Sequence, residues 1–315
     1  IWNRLPPSGI ICERGLHGSH DPCPLNLPKS MRGSAINSNT HPILGGNARN
    51  LDLWPIGNCQ ASALIDRAGR MVWACVPRVD GDPVFSALLD DADWDDDAAI
   101  GFWAIELENC VAVEQYYLRN TPVLVTRQSD TQGNVIEIFD FCPRHKHKGR
   151  MYRPVAFARI ARPVAGSPRI RVRLRPTTAW NAEKVPINYG SNHIRMVLSY
   201  MAMRVSTDAP IGLIAQESWF RLEQDAHFFM GPDEGFSDAL RPALQRMLDD
   251  TVEEWRLWVR GLAIPAEWQE AVIRSAITLK LCQHEETGAI VAALTTSIPE
   301  HADSGRNWDY RYCWV

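Results

Sequence analysis

The chain has 315 residues, 45% hydrophobic and 22% charged, with a formal net charge of −4. Such values belong to an ordinary globular protein and exclude a collagen, a disulfide miniprotein or a wholly disordered chain. With no basic surplus, nothing argues for nucleic acid or an anionic membrane as partner, and no apolar run approaches the roughly 20 residues needed to cross a bilayer.

At roughly 150 residues per domain, about two domains are expected. Residues 1–50 are rich in Pro, Gly, Ser and Asn and lack periodicity, so they read as a disordered tail or a non-native extension. From 51 to 235 the pattern is β. Its clearest strand is 169–175, where Ile170, Val172 and Leu174 alternate with four arginines. A period of two puts the apolar side chains in a core and the guanidinium groups in solvent. Segments 59–65 and 71–76 flank a short loop holding Gly69, and 123–128 and 135–141 flank a second loop ending at Gly133. Further strands are expected at 102–107, 111–118, 155–160, 194–205 and 218–222. Short strands at this spacing indicate an antiparallel β-sandwich and not βαβ units.

The pattern then turns helical. Leu240, Leu244, Leu248, Trp255, Trp258 and Leu262 form a stripe near helical spacing within a linker helix region, 236–264. A second helix opens with Pro265, with Trp268, Val272, Ala276 and Leu279 on one face. Two helices cannot bury such faces alone, so Trp255, Trp258, Trp268, Val272 and Leu279 are expected to face further helices of a second domain beginning at 265.

Eight cysteines include no C-x-x-C pair and none at zinc-ligand spacing with His. The start shows no basic and apolar secretory leader, although it opens at Ile1 and not at a methionine. Reduced thiols in a cytoplasmic protein, without metal or cofactor, are the expectation. The acidic run 90–97 lacks the Gly and terminal Glu of a calcium loop and reads as solvated. His145-Lys146-His147-Lys148 reads as a surface loop. No nucleophile elbow or phosphate-cradling glycine spacing is present.

The informative segment is the last one. Thr287-Gly288-Ala289-Ile290-Val291-Ala292-Ala293 is followed by Thr295-Thr296-Ser297-Ile298-Pro299-Glu300 and then by Arg306-Asn307-Trp308-Asp309-Tyr310-Arg311-Tyr312-Cys313-Trp314. Were the segment extended, Trp308, Tyr310, Tyr312 and Trp314 would line one side and Asp309 and Arg311 the other. Rings interleaved with polar groups suit a sugar, whose C–H faces pack on aromatics while its hydroxyls need hydrogen-bond partners. Taken alone, an aromatic core segment is the competing reading.

The stretch 287–315 closely resembles glycoside hydrolase family 15, the glucoamylase and trehalase-like family. Asn50-Leu51-Asp52-Leu53-Trp54-Pro55-Ile56-Gly57-Asn58-Cys59 and Pro77-Arg78-Val79-Asp80-Gly81-Asp82 resemble the start of its bacterial N-terminal domain. The resemblance implies a β-sandwich at 51–235, a linker helix, and from 265 the start of an (α/α)6 barrel, cut short at 315. It implies an exo-acting, inverting hydrolase of an α-glucosidic oligosaccharide or disaccharide, without metal. One carboxylic acid protonates the leaving oxygen and a carboxylate opposite activates water. By the motif match Tyr310 and Trp314 would contact the terminal sugar, with Trp308 and Asp309 beside them, and both catalytic carboxylates would lie beyond Val315. The chain as written is therefore expected to be inactive, and Asp309 to order its loop through Arg306 or Arg311. Two rivals are a disaccharide phosphorylase of similar architecture and a non-catalytic carbohydrate-binding or regulatory module. Linkage and oligomeric state are not legible.

Overall fold

The computed structural model describes the backbone of 39–42 and residues 51–89, 98–180, 182–296, 305 and 307–314. Most of the expected tail, the acidic run, Glu300, Asp303 and Arg306 lie outside these residues.

Two antiparallel sheets dominate the β region. The wider follows the order Asn39–Pro42, Cys110–Tyr117, Leu124–Asp130, Val135–Phe141, Phe157–Ala165, Ala226–Pro232, Ala202–Thr207, His193–Val197 and Ile187–Tyr189. The other runs Phe220–Arg221, Arg169–Arg175, Phe102–Leu107, Met71–Val76, Ser62–Ile65 and Trp54–Gly57, with Asp82–Phe85 also paired to Met71–Val76. Inward side chains of both sheets make one core in a sandwich-like arrangement. Ile65, Met71, Trp103 and Ile105 come from one sheet, and Ile136, Ile138, Phe157 and Phe228 from the other. Trp103 and Phe228 meet edge to face across the gap, 6.2 Å apart.

A charge sits inside this core. Arg159 and Asp140, neighbours in the wider sheet, are both fully buried. The Arg159 Nε donates to Asp140 at 2.6 Å, while its two terminal nitrogens donate to the carbonyl of Trp103 (2.7 Å) in the opposite sheet and to that of Gly69 (2.6 Å) in one of that sheet's turns. Every face of the guanidinium is thus occupied, a condition for a buried ion pair not to destabilise.

Ile170, Val172 and Leu174 point inward as alternation requires. The arginines between them are not simply solvated, because acidic residues of neighbouring segments cover that face. Arg169 binds Glu108 and Arg175 binds Glu217. Arg171 and Arg173 share Glu106; Arg171 lies over Trp219, and Arg173, only 2% exposed, over Phe102. The expected strand 194–205 is in fact two, His193–Val197 and Ala202–Thr207, joined by a turn in which the Leu198 amide donates to the Met201 carbonyl. The 145–148 run forms half of a small hairpin, with His145 buried beside Tyr152.

Helix α1 (Ile211–Ala215) is a single turn. Helix α2 (Leu240–Arg260) has Pro242 in its first turn, where no intrahelical donor is lost, and stops at Gly261. Its inward stripe does not wait for another domain. Leu244, Leu248 and Val252 pack on the outer face of the wider sheet, against Val123, Val125, Phe139, Phe141 and Ile160. Burying each such side chain is worth roughly 1.5–3 kcal/mol. Trp255, expected to face further helices, is fully buried, with Arg144 over its ring at 5.5 Å.

Helix α3 (Gln269–Leu281) begins four residues after Pro265, because Trp268 adopts a left-handed backbone (φ 59°) that cannot continue a helix. Its buried residues are Ile277 and Leu281, which join Cys59, Trp255 and Val259. The face carrying Trp268 (75% exposed) and Leu279 points outward. Arg274 ties the helix to the sandwich, over the Tyr117 ring at 3.9 Å and donating to the Thr121 carbonyl. After α3, Arg144 grips Glu285 with two hydrogen bonds of 2.6 and 3.0 Å. Those bonds and the Arg144 charge hold the Glu285 carboxyl at about 2, well below its ordinary 4.5.

Candidate functional site

The segment after α3 lies on the outer face of the seven-stranded sheet. Val291 and Leu294 are buried there among Leu64, Val72, Trp73 and Phe102. The Trp73 indole N–H donates to the Leu294 carbonyl at 2.7 Å, which fixes the depth at which the segment sits. The aromatic run is laced to it by backbone bonds from Ala293 to the Tyr310 carbonyl (2.8 Å) and from Ala292 to the Tyr312 carbonyl (3.1 Å). The two sequence motifs are therefore neighbours in space.

The run is not extended. Asp309 accepts the backbone N–H of Arg311 at 3.0 Å, an Asx-type bond that turns the chain at Tyr310 and Arg311. The turn replaces the expected one-sided row of four rings with a different grouping. Tyr310 and Trp314 stack, with centroids 5.3 Å apart and planes 14° apart. Trp308, Tyr312 and Trp314 are each more than half exposed, while Tyr310 is half-buried.

Nor do the charged residues face solvent. Arg311 is 3% exposed and holds Asp309 in a fork of 2.9 and 2.8 Å. Burial pushes the Asp309 carboxyl up, but the hydrogen bonds from Arg311 outweigh it and hold the group below its ordinary range. The expectation that Asp309 orders its loop through Arg311 agrees with this geometry. A third nitrogen of Arg311 reaches the Gly81 carbonyl at 2.5 Å, and Trp180 lies over the guanidinium at 4.8 Å. Nothing in the spacing of the sequence signals Trp180. It is brought here by Asp82, which accepts from the Thr178 hydroxyl and from the backbone N–H groups of Ala179 and Trp180.

Three of the described carboxylates near the segment are engaged: Asp82 in that turn, Glu285 by Arg144 and Asp309 by Arg311. Among the described residues no group of three or more His, Cys, Asp or Glu could hold a metal ion. Among the described residues six cysteines are free thiols, and burial pushes Cys75 up to about 12. No described helix is long and apolar enough to cross a membrane.

The β-rich region thus carries a tethered segment with exposed aromatic rings, and the comparisons with known proteins show what the chain is similar to. Residues 41–228 match the family described as Trehalase-like, N-terminal, and 267–315 match Glycosyl hydrolases family 15. The chain belongs to the trehalase-like glycoside hydrolases of family 15. It is 28% identical over 278 residues to a Trehalase of Thermoplasma volcanium, covering 82% of this chain and 42% of the relative. It is 27% identical over 285 residues to a Trehalase of Mycolicibacterium smegmatis, covering 82% and 42%. A Trehalase of Mycobacterium tuberculosis is 25% identical over 317 residues, covering 92% and 45%. The chain thus spans less than half the length of these relatives. No solved structure matches it.

Proposed function

We propose that this chain forms the sandwich and part of the sugar site of an inverting α-glucoside hydrolase acting on a trehalose-type disaccharide. The observation that carries the reading is the Tyr310–Trp314 stack, flanked by the exposed rings of Trp308 and Tyr312 and anchored on a rigid sheet. Tyr310 and Trp314 contact a glucosyl ring, Trp308 borders it, and Asp309 shapes the turn and is not itself an acid or base. Helix α3, in the stretch from 265 onward, begins a helical catalytic domain. Its general acid and base, as the family resemblance implies, are not Glu300, Asp303 or Asp309; Asp309 serves Arg311 instead.

Two measurements test the reading. The purified 315-residue chain should release no glucose from trehalose above a blank; release would overturn the placement of the catalytic pair. In the protein expressed from its whole reading frame, Tyr310→Phe and Trp314→Phe should lower kcat/KM for trehalose about tenfold or more, roughly 1.4 kcal/mol of transition-state stabilisation, with unchanged thermal midpoints. A fall in midpoint with intact kinetics would return both rings to a packing role.

A further inference from the structure

We propose that Arg311 is a positioning residue that registers the sugar-binding turn on the sandwich, so that the loops carrying Gly81 and Trp180 are part of the scaffold of the site. The inference rests on the reading of Tyr310 and Trp314 as sugar contacts. It starts from the fork itself. Arg311 spends Nε and one terminal nitrogen on Asp309, and the other on the Gly81 carbonyl at 2.5 Å. One planar group therefore joins two residues of the turn to a carbonyl 230 residues away in sequence.

Both sandwich contacts are stiff. A Cβ on Gly81 would lie 2.4 Å from the Val76 carbonyl oxygen, so only glycine allows the loop to fold this closely and aim its own carbonyl at Arg311. On the other side Ala179 and Trp180 both hold left-handed backbone, φ 53° and 59°. Such conformations are unfavourable for an L-residue and persist only where the surroundings over-determine them. Asp82 supplies that constraint by accepting both backbone N–H groups, at 2.8 and 3.0 Å. The result is a Trp180 ring, 45% exposed, laid against the Arg311 guanidinium.

A buried charge is poor evidence for stability alone, since apolar residues of similar volume often serve as well. What a guanidinium adds is a fixed orientation of several donors, which a lysine ammonium cannot reproduce. Here the orientation is set for the residue between Tyr310 and Tyr312, whose carbonyls are bonded to Ala293 and Ala292. Side chain and backbone together fix the turn that stacks Tyr310 on Trp314.

The test compares Arg311→Lys, Trp180→Leu and Asp82→Asn with Tyr310→Phe and Trp314→Phe in the protein from the whole reading frame, with trehalose as substrate. Arg311→Lys should lower kcat/KM tenfold or more with the same KM-against-kcat split as Trp314→Phe. It should also change the near-ultraviolet dichroism of the stacked rings, while the thermal midpoint moves by only a few degrees. Trp180→Leu and Asp82→Asn, which leave the fork chemically intact, should each cost about threefold. If Arg311→Lys fails to fold, these two decide: the loss supports the proposal and its absence overturns it. Kinetics within twofold for Arg311→Lys, with Tyr310→Phe still damaging, would overturn the positioning role and leave the sugar-contact reading standing. Unchanged kinetics in both Tyr310→Phe and Trp314→Phe would overturn both.

Discussion

The two outer faces of the sandwich are covered in opposite ways. Helix α2 lies on the wider sheet through Leu244, Leu248 and Val252, an apolar stripe meeting an apolar face. The post-helical segment lies on the other sheet through two apolar side chains, Val291 and Leu294, and is tied down by directional polar contacts, among them those of Arg144 with Glu285, of Trp73 with Leu294 and of Arg311 with Gly81. The first cover is non-directional and tolerates small shifts. The second has few points of attachment, each directional, and so it locates its residues while contributing less to stability. The difference matches their places in the molecule, one a brace and the other a carrier of exposed rings.

Breaking the brace should have the largest effect. Leu248→Ala leaves a cavity under α2, and a loss of about 3 kcal/mol is expected, read from denaturant unfolding at unchanged m-value. A chain ending near 230 should for the same reason associate, since it bares Val125, Phe139, Phe141 and Ile160; a monomer in sizing chromatography would contradict the brace. That expectation reverses the sequence view of α2 alone; in α3 Trp268 and Leu279 do face away from the sandwich.

The junction between the two covers is sensitive to pH. Because Arg144 holds Glu285 at about 2 instead of 4.5, the carboxylate is favoured in the folded state. Its contribution is complete above about pH 4.5 and is lost as the pH falls towards 2. Glu285→Gln should flatten the acid limb of stability in that window, with thermal midpoints across pH 2–6 as the measurement. The smallest effect should come from the carrier. Trp73→Phe keeps a six-membered ring but removes the bond to Leu294 and leaves a small cavity where the pyrrole half packed, so about 1–2 kcal/mol is expected. Hydrogen exchange should localise it to the amides of Ala292 and Ala293, which bond to Tyr312 and Tyr310, and a change spread over the sandwich would contradict the localised attachment.

What could be read from sequence follows the same division. Met71–Val76, Phe102–Leu107, Val135–Phe141 and Arg169–Arg175 fall where the pattern puts them, because each has a strongly apolar inner face between neighbouring strands. The turn at 198–201 was illegible: Leu198, Ser199, Tyr200 and Met201 contain none of the Gly, Pro or Asn that mark turns. Helix α3 starts at Gln269 and not at Pro265, a good first helical residue, because Trp268 takes a left-handed conformation that no propensity anticipates. At the site, the motif and its aromatic character were visible in the sequence. The turn at 309–311 and the approach of Trp180 were not, since they depend on pairings of Arg311 with Asp309 and of Asp82 with 178–180.

The buried Arg159 has a consequence for how the molecule comes together. Its partners span both sheets, so a wider sheet formed alone would present a half-satisfied cation on an oily surface. Partial docking is therefore penalised, and a slip of one residue would carry the Trp103 carbonyl away from its donor. The guanidinium acts as a coincidence detector: it is content only when both sheets are present and correctly aligned. Unfolding of the sandwich should accordingly be a single transition by tryptophan fluorescence and far-ultraviolet dichroism alike, and Arg159→Met together with Asp140→Leu should split those two curves even where overall stability survives.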